Sequence, residues 1–448
     1  MIFDDEIELL GRLLSTKAYI VGGCVRNRLL GLDVSDVDVA SAALPKEVIE
    51  KASPAFSGVL VNERLGTVKL TSKDSGAVYE HTTFRVDSYP KSGRHLPKAV
   101  RFTLNLEEDA LRRDFTVNAL YFEPESKTVI DPTGGTEDIQ KKLLRAADRP
   151  EKVFGEDGLR IMRLARFSAE LGFLPEEKTF AAAKNNVRLL ADVSKDRIWP
   201  ELEKIFASSE KYPTVSGDNA AKRGLEVLEK LGALRVLFPN FSENEGYLAA
   251  LEAMPHLEKE ARLAALFTSQ DDKDVFAYLS DLRCPKGLKE QTANLIALAK
   301  TAVKTREDAA AVILKSEKLW KSVALLKRRV TGVLTLELIG FMAITLIGAL
   351  RCRSFHLICG KNGVTIKMGV LFKSSAFISV NKLSSVQTVQ NPIDAVFRAV
   401  SYRINTEAGP KGKADFDFKL STKDSAEVSR LLYGEDNYTA VKFSVFKV

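Results

Sequence analysis

Asp36 and Asp38 stand two residues apart in the stretch "DVSDVDVA", with Val37 and Val39 in alternation. On an extended strand residues i and i+2 project from one face, so both carboxylates would point to the same side. Carboxylates so paired supply the hard oxygen donors that magnesium takes. Two such ions can clamp the attacking and leaving oxygens of an in-line phosphoryl transfer. Glu80, in "VYEHTTFR", is the candidate for a third carboxylate from a neighbouring strand. An Asp-x-Asp pair alone also occurs at ordinary surface turns; its weight here comes from what precedes it. Gly22 and Gly23 end the apolar run "AYIV", where the missing side chains let backbone N–H groups approach a phosphate, and Arg26 adds a charge-assisted fork. Residues 18–40 are therefore expected to hold a nucleoside triphosphate between backbone amides and two Mg2+ ions, with Asp36, Asp38 and Glu80 as the catalytic acids.

A second constellation lies in "FGEDGLRIMRLARF". Asp157, Arg160, Arg163 and Arg166 recur every three residues and form a ridge drifting around one helix, with Leu159, Ile161, Met162 and Phe167 assigned to the other side. A stripe of arginines is commonly a solvated or salt-bridged face, but near a triphosphate site it has a polyanion to neutralise. Adenine and cytosine both present an amino donor beside a ring-nitrogen acceptor. Asp157 can accept from the first and Arg160 can donate to the second. Guanine and uracil would leave like groups facing each other, so the pair would admit ATP and CTP and reject GTP and UTP.

The elements that must position these residues follow from periodicity. The first 145 residues alternate short strand-like runs ("YIVGG", "VDVA", "TVKL", "VYEHTTF", "FTVNALYF") with helical stretches, which reads as a mixed α/β head over 1–137. Helical periodicity dominates from about Asp138, giving an all-α neck and body over 138–320. Residues 330–350, "VTGVLTLELIGFMAITLIGAL", carry Glu337 as their only charge and are long enough to cross a bilayer. Membrane association through this connector, 321–354, is favoured over a helix packed in a soluble core. Residues 355–448 read as a mainly-β domain, an antiparallel barrel or sandwich with one helix.

Charge and cysteine content narrow the classes. Residues 321–448 hold 19 Lys and Arg against 9 Asp and Glu, so the excess basic charge belongs to the C-terminal part and the rest is slightly acidic. Any nucleic-acid binding by the first 320 residues must use local patches. The four cysteines match no zinc spacing and read as reduced thiols, and the acidic N-terminus carries no export signal.

Five segments, "GGCVRNRLLGLDVSDVDVA", "YEHTTFRVDSYPKSGRHLPKAVRF", "LEEDALRRDFTVNAL", "DPTGGTEDIQKKLLR" and "EDGLRIMRLARF", resemble in order and context the class II tRNA nucleotidyltransferases, which include CCA-adding enzymes and bacterial poly(A) polymerases. The resemblance is dense to about residue 175 and thins toward 320. It implies a polymerase-β-like head, a helical neck and body that hold the tRNA acceptor stem, and addition or repair of the 3′-terminal CCA from CTP and ATP in the cytoplasm. It further implies that Arg113, Asp114 and Asn118 contact ribose and phosphates, that Arg112 is structural, and that Glu156, Asp157 and Arg160 are the base-selecting positions. The stretch 85–100 would be the mobile loop that accompanies the switch from CTP to ATP. Asn27 departs from the family's usual aspartate, which would loosen Arg26 and lower activity. The alternatives are a poly(A) polymerase and a catalytically weak, membrane-associated RNA-binding scaffold. Residues 355 to about 430 resemble a bacterial pleckstrin-homology-like domain, a binding or scaffolding module whose partner the residues do not specify; a gene fusion near 316–330 would account for its place in this chain.

Overall fold

The computed structural model describes residues 2–34, 36–89, 98–302, 306–331 and the strands of the C-terminal region between 356 and 444. The chain forms two compact units, one built from residues 1–301 with 312–332 and the other from 302–311 with 333–448.

The first unit begins with a seven-stranded mixed sheet. Its strands are β1 (Ala18–Val21), β2 (Val37–Ser41), β3 (Phe56–Asn62), β4 (Thr67–Ser72), β5 (Val78–Thr83), β8 (Tyr121–Glu123) and β9 (Thr128–Ile130), while β6 (Arg85–Ser88) and β7 (Ala99–Phe102) form a separate hairpin. The sheet order is β3-β4-β5-β2-β1-β8-β9; β2 and β5 run parallel and every other neighbour pair is antiparallel. One face, carrying Ile20, Val37, Val39, Val68, Leu70 and Tyr79, packs on α1 (Ile2–Leu14) and α3 (Pro45–Ala52). The other carries Tyr19, Val21, Ala40 and Tyr121 in a smaller apolar cluster. This second face leads to Asp38, because Ala40 and Asp38 are two residues apart on one strand.

Two local readings are corrected. "FTVNALYF" is not one strand: Thr116–Asn118 is a 3-10 turn and the strand is confined to Tyr121–Glu123. Polar side chains compete with the ladder there, since Asp114 accepts from the Phe115 N–H and Thr116 donates to Asp138. The stretch 85–100 is not simply a loop, because Arg85–Ser88 pairs residue by residue with Ala99–Phe102; residues 90–97 lie outside the described set.

The head's remaining helices are α2 (Gly23–Leu29), α4 (Leu106–Leu111) and α5 (Gly135–Lys141). Neck and body continue with α6 (Pro150–Glu156), α7 (Leu159–Leu171), α8 (Glu177–Asn185), α9 (Lys195–Phe206), α10 (Ser208–Lys211), α11 (Pro213–Ser216), α12 (Ala220–Leu231), α13 (Ala233–Leu237), α14 (Glu245–Ala253), α15 (Lys259–Phe267), α16 (Asp272–Asp281) and α17 (Lys286–Lys300). A short parallel pairing of β10 (Leu143–Leu144) with β11 (Leu174–Pro175) joins the end of the head to the turn after α7. After α18 (Arg306–Ser316), α19 (Trp320–Thr331) returns onto α14 and α17, burying Val323 and Leu326 in the core. The helix α7 is almost wholly buried and packs on α9 and α12, so it is the axis around which the neck is assembled.

In the second unit, β12 (His356–Gly360), β13 (Gly363–Met368), β14 (Ser374–Ser379) and β18 (Val441–Ser444) form one antiparallel sheet in the order β14-β13-β12-β18. A second sheet is made of β15 (Leu383–Val389), β16 (Ala399–Thr406) and β17 (Phe416–Ser421). The helix expected around 425–434 and most of the apolar connector, 332–350, lie outside the described residues. Among the described residues no helix is long and apolar enough to cross a membrane.

Candidate active site

A cleft of about 400 Å³ opens between the head sheet and the first neck helices. Gly22, Gly23, Arg26, Asp38, Arg112, Arg113, Asp114 and Asn118 line it from the head; Asp157, Leu159, Arg160, Arg163, Phe167 and Arg197 line it from the neck. Six arginines against three aspartates make it a cradle for a polyanion.

The head wall is built by the strand-to-helix turn after β1. Gly22 sits at φ +75°, ψ −135°, where a side chain would be strained, and its N–H donates to the Leu120 carbonyl at 2.9 Å. That conformation starts α2 at once and presents Arg26 one turn later. The Arg26 guanidinium is buried over the Phe167 ring. It donates twice to Asn27 Oδ1, at 3.1 and 2.8 Å, and once to Asn118 Oδ1, at 2.5 Å. Asn27 therefore does not loosen Arg26, because its amide oxygen replaces the carboxylate as acceptor. Burial pushes the neighbouring Cys24 thiol up to about 11, which keeps it an inert core residue.

Asp38 is in register with Val21 of β1 and with Glu80 of β5, which places the two acids side by side on the same face. Val37 and Val39 are buried while Asp36, Asp38 and Glu80 are exposed. Withdrawal of water by the cleft wall, with like charge from Glu80 and Asp36, pushes the Asp38 carboxyl up to about 6 against the pull of Arg113. The repulsion is the kind a divalent cation would relieve, and the donor set is all hard oxygen, so the residues fit magnesium. They are not drawn together in advance: among the described residues no group of three His, Cys, Asp or Glu is close enough to hold an ion.

Asp109 of α4 was not singled out from sequence and is the organiser of this wall. Fully buried, it accepts from the Arg85 N–H at 3.1 Å, Arg112 Nε at 2.8 Å, Arg113 at 3.3 Å and the Tyr121 hydroxyl at 2.6 Å. Burial alone would raise its pKa, but Arg112, Arg113 and Tyr121 more than offset it and hold the carboxyl at about 2. Its only sequence signal was an acid three and four residues before two arginines on a short helix. Arg112 and Arg113 are thereby aimed at the cleft, Arg113 also resting on the Tyr121 ring.

Asp114 is committed. One oxygen accepts from the Phe115 N–H at 2.8 Å and from Asn118 Nδ2 at 3.1 Å, and the other meets Arg163 at 2.7 and 2.5 Å. Despite burial, these partners hold it at about 2, with Arg163 the leading one. Asp114 and Asn118 thus bridge Arg26 of the head to Arg163 of the neck.

On α7 the ridge behaves in two ways. Arg160 lines the cleft and donates to the Val153 and Arg112 carbonyls at 2.9 and 2.7 Å; Asp157 lines it too, accepting from the Leu159 N–H at 3.0 Å with Arg197 at 3.5 Å. Arg166 does not reach the cleft. A spacing of three loses about 60° per step on a helix, so Arg166 lies about 120° from Arg160 and turns inward, where it pairs with Glu201 at 3.0 Å. Phe167, seven residues after Arg160, and Leu159 both line the cleft instead of the opposite side, and the Phe167 ring carries Arg26, Arg163 and Arg166 within 5.3 Å. Asp36, Glu80 and Glu156 also stand outside the cleft lining; Glu156 meets Arg160 at 3.5 Å. Arg197 arrives from α9, about forty positions along the chain, and no local pattern announced it.

Comparison with known families matches residues 18–145 to the poly A polymerase head domain, 172–244 to the probable RNA and SrmB-binding site of polymerase A, and 309–436 to the bacterial PH domain. The CCA-adding enzyme of Geobacillus stearothermophilus is 38% identical over 286 residues, which are 63% of this chain and 66% of that protein. The CCA-adding enzyme of Bacillus velezensis is 33% identical over 287 residues, covering 63% of this chain and 68% of the relative. The chain spans just under two thirds of the length of the Geobacillus relatives. Among solved structures, the Bacillus stearothermophilus CCA-adding enzyme in complex with CTP superposes with a TM-score of 0.58 at 30% identity, over 78% of this chain and 82% of that one. With its nucleotidyltransferase head, helical body and PH-like C-terminal domain, the chain belongs to the class II tRNA nucleotidyltransferases, the family of the CCA-adding enzymes.

Proposed function

We propose that the protein is a template-independent tRNA nucleotidyltransferase that adds or repairs the 3′-terminal CCA, using CTP and ATP. The observation that supports this reading is one cleft whose lining brings together Asp38 of the head, Asp157 and Arg160 of the neck, and five further arginines. A relative at 30% identity was solved with CTP, and the cleft volume of about 400 Å³ suits one nucleotide.

In the reaction the RNA 3′-hydroxyl gives up its proton to solvent as its oxygen forms a bond to the α-phosphorus, the bond to the bridging oxygen breaks, and pyrophosphate leaves with that electron pair. Arg26 and Arg113, with the backbone at Gly22 and Gly23, neutralise and orient the triphosphate. Asp157, held by Arg197, accepts from the exocyclic amino group; Arg160 donates to the ring nitrogen. Asp114 and Asn118, on the cleft wall, hold Arg163 and Arg26 in place, and Arg166 supports that wall from behind through Phe167 and Glu201. Asp36, Asp38 and Glu80 would hold Mg2+, which when bound supplies charge neutralisation and lowers the pKa of the attacking hydroxyl. The helical body would carry the tRNA acceptor stem, and the substrates place the activity in the cytoplasm.

The test is incubation of purified protein and magnesium with tRNA lacking its 3′ end and labelled CTP or ATP, beside Asp38→Asn. The wild type should add C, C and then A, and the variant should add none. Extension by A alone would indicate a poly(A) polymerase, and absence of transfer by the wild type would refute the assignment.

A further inference from the structure

Tyr212 contributes to this site from a part of the chain that carries none of the family's catalytic segments. It lies between α10 and α11, 185 residues beyond Asn27, yet its hydroxyl accepts a hydrogen bond from Asn27 Nδ2 at 2.9 Å. The same amide nitrogen faces the Asp33 carbonyl at 3.3 Å, while Oδ1 takes two donors from Arg26. The partners set the amide's orientation: turned over, its NH2 group would face the Arg26 donors and its oxygen the Asp33 carbonyl.

The tyrosine is itself fixed. Its carbonyl accepts the N–H groups of Val215 and Ser216, Pro213 begins the next helical turn, and α11 is pressed against α7 where Gly172 leaves room for the Val215 carbonyl. Arg223 ties that end of α7 to α11 by donating to the Ser168 and Ser216 carbonyls. A rigid neck element therefore holds Asn27, and Asn27 holds the guanidinium that lines the cleft.

We propose that Tyr212 is a positioning residue for the reaction: through Asn27 it fixes the direction in which Arg26 meets the nucleotide's phosphates. This rests on the reading of Arg26 as a triphosphate ligand. Asn27 is then a matched part of the device, since an aspartate there has no N–H to offer Tyr212 or the Asp33 carbonyl.

The experiment compares wild type, Tyr212→Phe, Asn27→Asp, Arg26→Ala and Arg26→Ala/Tyr212→Phe by equilibrium binding of CTP and of CMP in magnesium, with thermal unfolding alongside. Loss of one partly buried hydrogen bond to the relay should weaken CTP binding by about threefold to tenfold. The KM for CTP should rise accordingly in Tyr212→Phe with little change in kcat. Binding of CMP, which lacks the β- and γ-phosphates, should stay within twofold, and Tyr212→Phe should add no loss once Arg26 is alanine. In Asn27→Asp the tyrosine hydroxyl can donate to the carboxylate, so that variant should retain more CTP affinity than Tyr212→Phe. Equal losses for CTP and CMP, an unchanged CTP affinity, or a further loss in the Arg26→Ala background would overturn the proposal. Wild-type protein that binds CTP but does not extend tRNA would sink the functional reading instead and leave the binding comparison standing.

Discussion

Removing the charge of Asp109 is the perturbation whose consequence can be followed furthest. Asp109→Asn keeps the shape of the side chain and its acceptors for the Arg85 N–H and Arg112, but turns an NH2 group toward Arg113 and the Tyr121 hydroxyl. Holding this carboxyl at about 2 when its ordinary value is 3.8 stabilises the folded head by about 2 kcal/mol at neutral pH. A donor facing a buried guanidinium adds to that loss, so about 2–3 kcal/mol is expected. The pKa is depressed in the folded state, so the contribution is present above about pH 4 and disappears as pH falls through about 2. Hydrogen exchange of peptides covering Tyr121–Glu123 and Ala18–Val21 reads this locally, without requiring the whole chain to unfold in one step. At pH 7 the variant should exchange about 30-fold to 150-fold faster there, and the difference from wild type should shrink steadily below pH 4. Equal protection at pH 7, or a gap that persists undiminished into acid, would refute the view that Asp109 acts as a charged hub.

The double variant Asp157→Ala/Arg160→Ala should lose discrimination against UTP and GTP along with activity, measured by incorporation from each of the four triphosphates; unchanged selectivity would remove the pair from base recognition. Because Asp38 is raised to about 6, protons should compete with magnesium as pH drops through that value. Activity at fixed magnesium should fall there, and added magnesium should move the limb to lower pH. At Gly135 a Cβ would run into the Thr116 carbonyl oxygen, so Gly135→Ala should destabilise the head by about 3 kcal/mol, seen as a lowered transition in thermal unfolding.

Much of the site could be read in the chain because its signals are local. The alternation around Asp36 and Asp38 needs only the two-residue period of a strand, and the glycine pair before Arg26 needs only the turn it creates. The same reading misplaced Phe167 and Arg166, because a spacing of three was followed along the helix without the rotation it accumulates. It also missed Asp109, whose meaning lies in four partners, two of which, Arg85 and Tyr121, come from other elements.

The residue types alone determined that this chain can gather carboxylates, glycines and arginines for a nucleotide, since those patterns are set by backbone geometry over a few residues. Tertiary structure alone decided which arginines face the cleft and which are spent inside. It also brought Arg197 to Asp157 and Tyr212 to Asn27. Those contacts join residues 40 and 185 positions apart, and pairing over such distances is settled by how buried helices pack and by the cost of leaving a charge without a partner.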